Sequence, residues 1–110
     1  ARLGLLYLNR GNWNGRQLLS ASFVDVATTT QVLATLPGRS QNLLSGAYGF
    51  YWWTNEIMAN GQRRYPAAPP RTYGAHGASA NFCFVIPEWN MVIVRMGNSP
   101  LPGTFSQQDQ

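Results

Sequence analysis

The sequence predicts a single α/β (α+β) domain in which helices cover an antiparallel sheet, and three observations carry that expectation. Two apolar runs, Phe82–Ile86 and Met91–Met96, flank Pro87-Glu88-Trp89-Asn90, so β-branched and aromatic residues surround a short segment of turn formers, the pattern of a hairpin. Neither run alternates cleanly with polar residues: Phe82, Phe84 and Ile86 point one way, and Cys83 and Val85, also apolar, point the other. A strand that is apolar on both faces needs cover on both, which places the hairpin in the middle of a sheet with helices packed over it. The third observation is length, since 110 residues allow one domain with a modest core and not two.

Residues 1–10, ARLGLLYLNR, are apolar at 3, 5, 6, 7 and 8, too continuously for a surface helix. They read as a well-covered helix ending at Gly11 as the C′ residue. Gly11-Asn12-Trp13-Asn14-Gly15 then forms a turn, because Asn and Gly tolerate positive φ. Ser20 or Ser22 caps a second helix, with Asp25 in its first turn and Phe23, Val24 and Ala27 as its buried stripe. Thr28-Thr29-Thr30, poor in helix propensity, ends it. Residues 31–46 read as loop with one helical turn at most. Tyr48 to Trp53 is a strand by aromatic content, with Tyr48, Phe50 and Trp52 on one face. From Thr54 to Arg71 comes a long polar and Pro-rich excursion of the kind that forms functional rims or mobile lids. Residues 97–110 read as a frayed tail.

Composition excludes several classes of function. The net charge of +4 comes from eight arginines against four acids, with no lysine anywhere. The arginines are scattered, only Arg63 and Arg64 being adjacent, and no nucleic-acid motif accompanies them, so they read as a dispersed solvated surface rather than a nucleic-acid footprint. Cys83 is the only cysteine and reads as a buried, inert thiol. With a single cysteine and a single histidine, no structural metal is expected, and no other cofactor is implied. No apolar stretch approaches the ~20 residues of a membrane span, so no membrane span is expected. The chain starts without Met inside an apolar helical pattern, which reads as a piece of a longer protein, its C-terminal end. Localisation is not legible.

The candidate site lies just before the first hairpin strand. There the only histidine, His76, stands among Gly74, Ala75, Gly77, Ala78, Ser79 and Ala80, side chains small enough to let a ligand or another backbone come close. Gly77-Ala78-Ser79-Ala80-Asn81 is a near-match to G-x-S-x-G. A nucleophile elbow, however, needs a helix after the serine, and here the strand NFCFVI follows, so Ser79 is not read as a nucleophile. Asn81 and Tyr73 are either pocket or turn residues. Arg95 either faces a carboxylate or snorkels to solvent.

Taken in order, the covered helix, the GxWNGxxLLS turn into a capped helix, the aromatic YGFYWW segment and HGASANFCFVIPEWNMVIVRMGN resemble the C-terminal part of the β-lactamase-like serine hydrolases. That superfamily includes class C β-lactamases, DD-peptidases, related esterases and nylon-oligomer hydrolases. The resemblance spans roughly residues 1–99 and implies the C-terminal part of the penicillin-recognising fold. Three elements build the family's site: Ser-x-x-Lys, a Tyr motif, and Lys-Thr-Gly or His-x-Gly. Only the third has a counterpart here, His76-Gly77, with nothing equivalent to the threonine. Ser-x-x-Lys is impossible without lysine, so the resemblance implies that the nucleophile belongs to a missing N-terminal part of the chain. By resemblance, His76 and Gly77 are catalytic-site residues. Ala78 and Ser79 lie where a backbone N–H supplies half of an oxyanion hole for a small ester or amide substrate. A non-catalytic binding or sensor relative of the same fold is the alternative expectation.

Overall fold

A computed structural model describes residues 1–32 and 46–98. The expected loop at 31–46 and tail at 97–110 therefore fall largely outside the described residues. The order of elements is α1 (Arg2–Leu8), β1 (Asn12–Trp13), β2 (Arg16–Gln17), α2 (Ala21–Ala27), β3 (Trp53–Thr54), β4 (Tyr73–Gly77), β5 (Asn81–Ile86) and β6 (Met91–Arg95). β1 and β2 form a small antiparallel ribbon, and β3-β4-β5-β6 form an antiparallel sheet in that order. The fold is thus α+β, as the sequence predicts.

The expected hairpin is β5–β6, but it does not lie in the middle of the sheet: among the described residues β5 is interior and β6 is the edge strand. Pro87 opens a helical turn, and Asn90 closes it in the left-handed conformation at φ 49°, a geometry that asparagine tolerates. Ile86 pairs with Met91 and Phe82 with Arg95, while β4 pairs in front with Tyr73 opposite Val85 and His76 opposite Phe82. Side chains alternate across a sheet, so this register sorts the strands into two faces. Tyr73, Ala75, Cys83, Val85, Val92 and Val94 share one. Gly74, His76, Phe82, Phe84, Ile93 and Arg95 share the other.

The first face holds the core. Val85 is fully buried, with Ala27, Trp52 and Tyr73 packed around it and Tyr7, Leu8, Cys83 and Val92 against them. Trp52 stands edge-on to Tyr73 at 5.1 Å and tilted to Tyr7 at 4.9 Å between ring centroids, separations at which aromatic pairs attract beyond their buried area. α1 reaches this face because Gly4 has no side chain. A Cβ there would lie 2.7 Å from Val92 Cγ1 and 2.9 Å from Cys83 Sγ.

Among the described residues, helices do not cover both faces of the sheet. Gly4 of α1 and Ala27 of α2 both pack on the Val85 face. The opposite face is covered by the side chain of Tyr65, edge-on to Phe84 at 5.2 Å, while Met91 and Ile93 stay 43% and 45% exposed. Apolar residues on both sides of a strand call for cover, and an aromatic side chain from a loop supplies it here.

Local expectations divide in the same way. Ser20 caps α2, accepting a hydrogen bond from Phe23 N at 3.1 Å, and Thr28 ends it. Asp25 is not in the first turn; it pairs with Arg10 instead, whose Nε lies 3.0 Å from Oδ1. Phe23 is 43% exposed and outside the buried stripe, which is Val24 and Ala27. In α1 Leu3 and Leu5 face solvent, so the helix is covered at Gly4 and, in part, along Leu6, Tyr7 and Leu8.

The C′ residue of α1 is Arg10, at φ 51°. Arg10 N donates to Tyr7 O and Gly11 N to Leu6 O, the paired bonds of a Schellman motif. Gly11 is needed one position later, because a Cβ there would meet Leu19 O at 2.1 Å.

Tyr48 to Trp53 is not a continuous strand. Tyr51 turns left-handed at φ 66°, Gly49 N donates to Trp52 O, and Tyr48 bridges back to Trp53. This fold-back drives Trp52 into the core. No helix among the described residues is long and apolar enough to cross a membrane.

Candidate functional site

The 54–71 excursion, expected as a functional rim or mobile lid, has ends that line a cleft and a middle that is pinned by a buried side chain. Its organiser is Asn55, which is fully buried. The Asn55 Nδ2 donates to the carbonyls of Tyr65, Ala68 and Pro69 at 3.0, 3.2 and 3.0 Å, and its Oδ1 accepts from Tyr65 N at 2.7 Å. Arg63 Nη1 adds a bond to Asn55 O at 2.8 Å. One amide therefore satisfies the backbone of a Pro-rich segment that has few partners of its own.

The product of that anchoring is the position of Tyr65. Its ring lies over the sheet, and its hydroxyl is 2.6 Å from His76 Nε2. Gly74, adjacent on the same face, makes the room: a Cβ there would sit 2.9 Å from Phe84 Cδ1 and 3.2 Å from Tyr65 Oη. His76 is half-buried, tilted against Tyr65 at 5.8 Å and edge-on to Phe82 and Phe84 at 5.1 and 5.5 Å. The Arg64 guanidinium stacks 4.2 Å from the centroid of the Trp53 ring, within cation–π range.

These surroundings determine the protonation states. Burial, helped by the Arg64 charge, pulls His76 down from 6.5 to about 4, so the imidazole is neutral at pH 7. Burial pushes the Tyr65 phenol up to about 12, against the opposing influence of Arg64. His76 Nδ1 is buried and has no hydrogen-bond partner among the described residues, a costly state for an imidazole nitrogen.

Gly77, Ala78 and Ser79 follow His76 directly and are all exposed. Ser79 and Ala80 are both left-handed, at φ 61° and 58°, which costs residues with a Cβ on the order of 1 kcal/mol each. The turn is gripped from outside. Arg95 Nη1 donates to Ser79 O at 3.3 Å and Ala80 O at 2.5 Å. Asn81 Nδ2 donates to Ala78 O at 2.6 Å, and Asn81 Oδ1 accepts from Gly97 N at 2.8 Å. Arg95 thus neither faces a carboxylate nor snorkels; it holds a strained turn. Backbone strain concentrated beside a histidine is a feature that functional sites share. Ser79 connects strand to strand, without the helix that an elbow serine needs.

The structure therefore brings His76, Gly77, Ala78 and Ser79 to one end of the sheet, with Tyr65, Arg64 and Arg95 added around them. Sequence reasoning missed Tyr65 and Arg64. The available signal was an aromatic next to a cation inside an otherwise polar, Pro-rich stretch. A cleft of about 420 Å³ opens elsewhere, lined by Arg10, Asp25, Thr54, Glu56, Arg71 and Thr72 among others, at the Tyr73 end of β4, and none of the four predicted residues lines it. Among the described residues no three His, Cys, Asp or Glu side chains are grouped to hold a metal. No protein-family model matches this sequence, and no curated protein matches it.

Proposed function

We propose that this chain supplies the His-Gly wall of a serine hydrolase that works through an acyl-enzyme on an ester or amide substrate. His76 acts there as a neutral hydrogen-bond donor that polarises the substrate carbonyl, and the 77–79 backbone borders the oxyanion. The nucleophilic serine and its lysine belong to a part of the protein outside these 110 residues. The observation that carries the proposal is the imidazole itself: uncharged, half-buried, fixed through Nε2 by Tyr65 at 2.6 Å, and followed directly by the exposed residues 77–79 of a strained turn. A donor held in place before the reaction stabilises developing negative charge without reorganisation, which is worth about 10²–10³ in rate.

The test is p-nitrophenyl ester hydrolysis by the complete protein, together with labelling by a serine-reactive phosphonate. His76→Ala is expected to lower kcat by about 10² while leaving the fold intact. Unchanged kinetics would remove His76 from the site. A second reading, a non-catalytic binding relative of the same fold, is favoured by the polar cleft that lies away from His76. Phosphonate labelling of the complete protein separates the two, since only the hydrolase is labelled.

A further inference from the structure

The peptide planes of the 78–80 turn have a direction, and three side-chain hydrogen bonds set it. Asn81 Nδ2 donates to Ala78 O at 2.6 Å, while Arg95 Nη1 donates to Ser79 O at 3.3 Å and to Ala80 O at 2.5 Å. In a trans peptide the N–H lies opposite the C=O. Ser79 N–H shares its plane with Ala78 O, so it points away from the Asn81 amide, and Ser79 itself is exposed. Strand register explains why Arg95 is the residue that reaches the turn. His76, Phe82 and Arg95 form one row across three strands and share a face, and Phe82 is the second residue of β5. Among the described residues no carboxylate pairs with Arg95, so nothing draws its donors elsewhere. The Asn81 amide is fixed in turn, because its Oδ1 accepts from Gly97 N at 2.8 Å.

Left alone, the turn would relax. Ser79 and Ala80 both carry a Cβ at positive φ, and two such residues in succession disfavour the conformation by at least about 30-fold. We propose that Arg95 is a positioning residue that, together with Asn81, keeps the 78–80 turn in this strained form and so fixes Ser79 N–H as a donor toward a ligand oxygen at the His76 end of the sheet. One guanidinium nitrogen bridging two successive carbonyls needs both to turn the same way, which an extended chain, whose carbonyls alternate, does not allow. Hydrogen bonds from a charged donor are the strong ones, so the bridge works directly against relaxation to a strand. The donor role given to Ser79 N–H rests on the hydrolase reading above; the clamp itself does not.

The experiment compares Arg95→Met, which keeps an apolar stem and removes the donors, with the same change combined with Ser79→Gly and Ala80→Gly, since glycine takes positive φ without steric cost. In the 15N-labelled wild-type chain, strong intraresidue HN–Hα NOEs are expected at Ser79 and Ala80, the mark of positive φ. Arg95→Met is expected to weaken them. In the complete protein it is expected to lower kcat for a p-nitrophenyl ester about tenfold with KM unchanged, because only molecules with the turn in place react. Adding the two glycines is expected to restore most of that kcat, a rescue that a general packing role for Arg95 does not predict. A folded Arg95→Met that keeps both NOEs would overturn the proposal. Should Arg95→Met fail to fold, a folded glycine-bearing variant supports the clamp, and an unfolded one overturns it. Turnover is read separately: its absence in the wild type counts against the hydrolase reading, whereas weakened NOEs with kcat intact in Arg95→Met overturn the role given to Ser79 N–H.

Discussion

Replacing Asn55 by Ala tests whether one buried amide organises the 54–71 excursion. The substitution removes four hydrogen bonds: those donated to the carbonyls of Tyr65, Ala68 and Pro69 and the one accepted from Tyr65 N. At about 1 kcal/mol net per bond the sum approaches 4 kcal/mol. Part of this is recovered because the carbonyls at the rim of the excursion can turn to water, so we expect a loss of about 2–4 kcal/mol. That is a large share of the roughly 5–15 kcal/mol that holds a domain of this size together. The assay is urea denaturation followed by tryptophan fluorescence, alongside the His76 imidazole spectrum. Two readouts are expected to move together, since freeing residue 65 also frees Nε2. A change below about 0.5 kcal/mol, the range typical of surface substitutions, with an unaltered His76 signal would refute the reasoning.

Two further outcomes follow from particular contacts. Gly4→Ala places a Cβ 2.7 Å from Val92 Cγ1 and 2.9 Å from Cys83 Sγ, so it is expected to cost about 1–3 kcal/mol by overpacking. Combining it with Val92→Ala should recover part of that loss in urea midpoints, and strict additivity would count against the contact. The third outcome concerns pH. His76 takes up a proton near 6.5 when unfolded and only at about 4 when folded, so between those values the unfolded chain binds more protons. Stability must then fall as pH drops from about 6.5 towards 4 and level off below. His76→Phe cannot titrate and is expected to show a shallower fall in urea midpoint over this window; parallel slopes for the two proteins would contradict the assignment.

The hairpin was readable from residues 82–96 because its signals are local. A turn built on Pro87 and Asn90 and flanking apolar residues act within a few positions of one another. The same holds for the Ser20 cap, whose bond spans three residues. Errors arose wherever a residue had two uses that depend on distant partners. Asp25 suits a helix start, but Arg10 lies fifteen residues away in the chain and takes it as an ion pair. The Tyr48–Trp53 aromatics suit a strand, yet the core claims Trp52 and bends the backbone through Tyr51. The candidate site divides along the same line. His76 and the small residues after it stood out by type, whereas Tyr65 lies eleven positions upstream in a stretch that reads as polar loop.

The sequence by itself determined an α+β chain with a two-stranded apolar ribbon, a capped second helix and a solitary histidine at the mouth of that ribbon, because propensity, capping and turn chemistry operate over three or four residues. Only the tertiary structure decided that both helices share one face of the sheet, that Arg95 secures the left-handed turn at Ser79 and Ala80, and that Asn55 and Gly74 together seat Tyr65 on His76. Those arrangements depend on strand register and on which backbone groups lack partners once the chain has closed, and neither exists before distant residues meet.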